Sequence, residues 1–96
     1  MITREGNTLR LSGPLTLQTV RALYDRGLQA AGQPSLEVDL ARVEAVDSAA
    51  VSLMLVWLRE AQRNNVALSF TNVPANLLSL ARLYGIAELL PLRSAV

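Results

Sequence analysis

Between Val43 and Leu58 the chain reads VEAVDSAAVSLMLVWL, which puts one hydroxyl, Ser48, beside two carboxylates, Glu44 and Asp47, at the head of an almost unbroken apolar run. Residues of these types suggest a serine nucleophile or a pair of carboxylates working as acid and base. A nucleophilic serine needs a neighbouring base. The sequence has no His, and its nine basic residues are all Arg, so neither a Ser-His-Asp triad nor a Ser-Lys dyad can be assembled within it. The missing Lys also removes a Walker A loop, which ends in Gly-Lys-Ser or Gly-Lys-Thr. Without His or Cys the usual ligands of zinc and copper are lacking. Glu44 and Asp47 fall in what reads as a connecting loop, where acids are ordinarily solvated, and nothing in the sequence brings them to a common cleft. The expectation is a protein that is not an enzyme and takes neither metal nor cofactor.

Two further roles remain for Ser48. It reads as the N-cap of a following helix, its hydroxyl accepting a bond from an early backbone N–H, with Asp47 favourably placed by the helix dipole. It also reads as a contact point. Projected as a helix, residues 48–63 present one broad apolar face of Ala50, Val51, Met54, Leu55, Trp57, Leu58 and Ala61 for the core. The opposite face carries Arg59, Glu60 and Arg63 in its second half but Ala49, Ser52, Leu53 and Val56 in its first, where water would favour charge. Either a neighbouring helix or loop covers these side chains, or they form a docking patch.

The elements around this helix are legible from pattern. ITREGNTLRLSG reads as two short strands around a Gly6-Asn7 turn, with Leu9 and Leu11 on one face and Thr8, Arg10 and Ser12 on the other. Val20, Leu23, Tyr24, Leu28 and Ala31 then follow helical spacing, with Thr16 as N-cap, Leu15 and Val20 as a hydrophobic staple, and Gly32 as the stop. SLEVDL alternates Leu36, Val38 and Leu40 against Glu37 and Asp39, and VALSFT alternates Val66, Leu68 and Phe70 against Ala67, Ser69 and Thr71. A third helix runs from about Pro74 to Gly85, where Gly85-Ile86 has the form of a Schellman stop. Strands with one polar face argue for an α/β fold in two layers, a mixed β-sheet with helices mainly on one face.

Composition bounds the rest. A chain of 96 residues reads as a single domain, able to bury on the order of 60–65% of the surface its unfolded form exposes. Hydrophobic residues make up 51% of it, which is too many for a disordered chain. The net charge is only +1 and no basic stripe is present, so no nucleic-acid partner is expected. The run from Ala49 to Leu58 is too short to span a bilayer and MITREGNTLR has no apolar signal core, so no direct membrane insertion is expected. If a membrane matters, another chain supplies it.

The order of hairpin, helix, LEVDLARVEAVDSAAV, helix and VALSFTNVPANLLSLARLYGIAELL resembles the STAS domain of sulfate transporters and anti-sigma factor antagonists, from about Thr8 to Leu90, which implies a single STAS domain over 1–96. The family motif, an Asp-Ser or Asp-Thr before two small residues, is matched by Asp47-Ser48-Ala49-Ala50; antagonists usually carry a Gly among the small residues, and this chain has Ala at both. VDSAAVSLMLVWLREA together with NVPANLLSLARLYGIAELL resembles more narrowly the MlaB branch. That resemblance implies a non-catalytic cytoplasmic adaptor or regulatory subunit that binds the ATPase of an ABC phospholipid transporter, peripheral to the inner membrane through a complex with a permease. It implies Ser48 as the critical hydroxyl, with Asp47, Ala49, Ala50, Ser52, Leu53 and Val56 around it as the partner-binding patch. The alternative it implies is an anti-sigma factor antagonist, bound to an anti-sigma kinase and switched by phosphorylation of Ser48.

Overall fold

The computed structural model describes residues 2–28 and 34–93. In chain order it has β1 (Ile2–Glu5), β2 (Thr8–Leu15), α1 (Leu17–Arg26), β3 (Ser35–Val46), α2 (Ser48–Arg63), β4 (Ala67–Thr71), α3 (Ala75–Leu83), a 3-10 turn (Ala87–Leu89) and a two-residue β5 (Leu92–Arg93). The strands lie in sequence order in one sheet, β1 antiparallel to β2 across the Gly6-Asn7 turn and the rest parallel. Because each parallel crossover steps the same way along the sheet, crossovers of the usual right hand carry α1, α2 and α3 to one face. The architecture is therefore α/β in two layers, with a mixed sheet and one bare face. Among the described residues no helix is long and apolar enough to cross a membrane.

Alternation decides which side of each strand is buried. Leu9, Leu11, Leu36, Val38, Leu40, Leu68 and Phe70 are buried, while Thr8, Arg10, Glu37, Asp39, Ser69 and Thr71 are exposed to varying degrees on the bare face. Strand β3 is longer than alternation alone suggests, because it changes phase. Arg10 pairs with Asp39 but Ser12 with Arg42, and Gly13 pairs with Val43 but Leu15 with Val46, so β3 carries an extra residue in each interval. The first bulge lets Val43, three residues after Leu40, turn inward again. Asp39 Oδ1 accepts the Ala41 N–H there at 3.0 Å. Glu44 accordingly stands exposed within a strand and not in a connecting loop.

Helix α1 also departs from its sequence pattern. It starts after Thr16 as expected, with Leu15 and Val20 both buried, but it ends at Arg26. Gly27 adopts φ 70° and ψ 178°, a region open in practice to glycine alone, while its N–H still bonds Leu23 O. Leu28 is buried beyond the helix, its N–H donating to Glu60 Oε1 at 2.8 Å. The expected stop, Gly32, and the expected helical Ala31 lie outside the described residues. Helix α3 ends as its sequence predicts: Ile86 N–H bonds Ala81 O and Gly85 N–H bonds Arg82 O, the paired bonds of a Schellman stop, with Gly85 at φ 71°.

Candidate docking site at the start of α2

Strands β2 and β3 end side by side, Leu15 paired with Val46, and each turns directly into a helix. Asp47 occupies the joint. Its backbone is extended, at φ −134° and ψ −170°, the conformation an N-cap requires. Carboxylate Oδ1 accepts the Ala49 N–H at 2.9 Å, and Oδ2 accepts the N–H of Leu17, the first residue of α1, at 3.0 Å. One carboxylate thus satisfies an otherwise unpaired donor at the start of each of two helices. This corrects the sequence-based assignment of the cap to Ser48. Ser48 is the first helical residue, exposed, and its hydroxyl makes no hydrogen bond among the described residues. An N-cap needs extended dihedrals, and Ser48 has already turned into the helix.

The other residues of the expected patch separate by the side of α2 they occupy. Ser52 and Val56 are exposed, Val56 by 39%. Ala50 is buried, as the core projection requires, and so does not reach a surface partner. Leu53 is only 1% exposed, which corrects its placement on the outer face. It lies two helical turns before Glu60, on the same side, and Glu60 reaches the end of α1 at Leu28. That side of α2 is therefore the one α1 covers. Ala49 is half-buried against the core for the same reason, its N–H held by Asp47 beside the start of α1. The neighbouring helix accounts for Ala49 and Leu53, and leaves Ser48, Ser52 and Val56 uncovered.

On the side facing away from α1, Ser48, Val51, Ser52 and Leu55 form one wall of an open groove of about 400 Å³, whose other wall is Tyr84 and Ile86. Sequence reasoning missed this second wall. Leu83, Tyr84 and Leu89, in and just after α3, are 76%, 52% and 65% exposed, so the apolar surface at this edge comes as much from the end of α3 as from α2. The signal was present in ARLYGIAELL, where the Schellman stop swings Tyr84 and Ile86 out of the helical repeat. The lining contains no carboxylate, guanidinium or imidazole, so the groove offers shape, apolar contact and three hydroxyls, and no acid-base pair. Glu44 and Asp47 form no such pair either, since both Asp47 oxygens accept helix N–H groups. No group of His, Cys, Asp and Glu able to hold a metal ion occurs among the described residues.

Residues 1–91 match the family model described as "Mlab, STAS domain", and the chain belongs to that STAS-domain family. Membership supports a regulatory or adaptor role exercised through protein contacts, on a fold whose members are generally binding modules. No curated protein matches the chain.

Proposed function

We propose that this protein is a non-catalytic cytoplasmic adaptor that docks on the ATPase subunit of an Mla-type ABC lipid transporter, and is held at the inner membrane by the permease of that complex. The observation that carries the reading is the uncharged groove at the start of α2, with two exposed serines on one wall and exposed Tyr84 on the other. A surface of this kind loses little on desolvation and gains apolar burial when covered. The family description supports the choice of transporter system. In this reading Ser48, Ser52 and Val56 touch the partner together with Leu55 and Tyr84. Asp47 positions them, while Ala49, Ala50 and Leu53 pack beneath.

The test is Ser48→Asp. An acid in the first turn of a helix is favoured by the dipole, so the variant should melt close to the unaltered protein. Within an interface the same carboxylate is desolvated without a counter-charge, so binding to the ATPase subunit of the same organism should be lost in calorimetric titration. Full-affinity binding by the folded variant would remove Ser48 from the contact. The second reading, an anti-sigma factor antagonist, draws on the exposed and unbonded Ser48 hydroxyl, which a kinase can reach. Affinity purification from the native host separates the two: an ATPase with its permease supports the first, an anti-sigma kinase the second.

A further inference from the structure

We infer that the partner segment seated on this edge is amphipathic, placing apolar side chains in the groove and carboxylates against Arg59 and Arg63; this rests on the adaptor reading above. Helical spacing sets Ser52, Val56, Arg59 and Arg63 in a row along the uncovered side of α2. The row begins uncharged and ends positive. Both arginines are exposed, and neither forms an ion pair among the described residues. The one acid on α2, Glu60, points to the α1 side and accepts the Leu28 N–H. Arg63 sits in the last turn, where the helix dipole alone favours a cation. Arg59 stands a turn earlier, beyond the reach of that effect, with no ion-pair partner among the described residues.

Arg10, by contrast, has acidic partners within the chain. On the bare sheet face it bonds Glu5 and lies 3.6 Å from Asp39. Arg21, Arg26, Arg42 and Arg82 are likewise exposed without an ion pair among the described residues, and what sets Arg59 and Arg63 apart is their place on the row of α2 that continues from the uncharged groove. Opposite charge on a partner steers encounter and fixes register, so the contribution is expected mainly in the association rate and its salt dependence.

The experiment measures association of the full chain with the purified ATPase subunit at low and high salt, for the unaltered protein and for Arg59→Glu, Arg42→Glu and Ser52→Tyr. Arg42 is exposed on the sheet side, beside Arg10 and Asp39, so its reversal changes net charge equally without touching α2. Fluorescence of the single tryptophan, buried Trp57, reports that each variant is folded. Arg59→Glu should slow association about ten-fold at low salt, with the gap closing at high salt, where the Debye length falls to about 3 Å at 1 M. Arg42→Glu should associate like the unaltered chain. Equal rates for Arg59→Glu and Arg42→Glu, with binding abolished by Ser52→Tyr, would overturn this inference and leave the adaptor reading standing. Failure of the unaltered chain to bind the ATPase would remove both. Arg59-dependent retention on anionic phospholipid vesicles, without an effect on the ATPase, would assign the arginines to a lipid surface and also overturn it.

Discussion

On the side of α2 that faces α1, Leu53 is sealed and Glu60 reaches across to the Leu28 N–H, whereas on the side that faces α3, Ser48 and Ser52 stay exposed above an open groove. The two sides belong to one helix and both carry apolar residues, Ala49 and Leu53 on one and Val51 and Leu55 on the other, so the presence of apolar side chains does not separate them. Coverage by a neighbour does. The bare sheet face adds a third case, open to water yet satisfied from within: Asp39 takes bonds from Asn72 and Ala41 and lies beside Arg10, which also bonds Glu5. A partner docking there would break or desolvate a finished network. At the groove it would cover an unfinished one. Exposure alone therefore does not mark a docking surface; the balance between what a face offers and what it already satisfies does.

The largest difference between the two sides of α2 is expected at Leu53. Truncation to Ala in a packed site should cost ~2–5 kcal/mol, whereas Val56→Ala, one turn on and exposed, should stay within ~0.5 kcal/mol. Urea unfolding followed by Trp57 fluorescence reads both, and similar midpoints would mean that α1 does not cover its side of α2. Asp47 comes next. Removing a carboxylate that serves two helix starts, in Asp47→Ala, should cost ~1–2 kcal/mol, near twice a single weak cap. A loss confined to α2, with amide exchange at Leu17 unchanged, would show that the second bond contributes nothing.

A smaller effect tests the sheet face by pH. Burial by itself would raise the Asp39 pKa, but the bonds from Asn72 and Ala41 and the charge of Arg10 together outweigh it and hold the group below the ordinary aspartate value. A depressed folded pKa contributes stability that is present above the unfolded value and is lost as pH falls through the folded one. Unfolding midpoints should therefore drop below about pH 4, and Asp39→Asn should flatten that part of the profile. An unchanged slope in the variant would assign the acid sensitivity to other carboxylates. The smallest effect is expected at Ser48→Ala, which should shift stability by less than ~0.5 kcal/mol because Asp47, and not Ser48, is the cap. A loss near ~1 kcal/mol would restore a capping role to the hydroxyl.

Much of this arrangement was legible in the residues. The alternation of Leu36, Val38 and Leu40, the Gly6-Asn7 turn, the buried Ala50 and the stop at Gly85-Ile86 all appear where pattern places them. The misreadings share a cause. Gly27 and Gly32 are equally good helix stops on paper, and α1 ends at Gly27 with the next N–H taken by Glu60. Asp47 and Ser48 are both good caps, and the former is the one whose carboxylate also reaches Leu17. Tyr84 became part of the site only because folding sets the end of α3 beside the first half of α2.

The sequence by itself determined the devices that act within a turn or a residue pair: strand faces, the hairpin, the paired bonds ending α3. It also determined that no His, Lys or Cys is present to serve a serine or a metal. The tertiary structure decided which half of the α2 outer face is sealed and which stays open. The bonds that made the choice, Leu17 to Asp47 and Leu28 to Glu60, join residues 30 and 32 positions apart. No periodicity of 2 or 3.6 residues carries information over that distance; it comes into being only when parallel strands bring the ends of successive helices together.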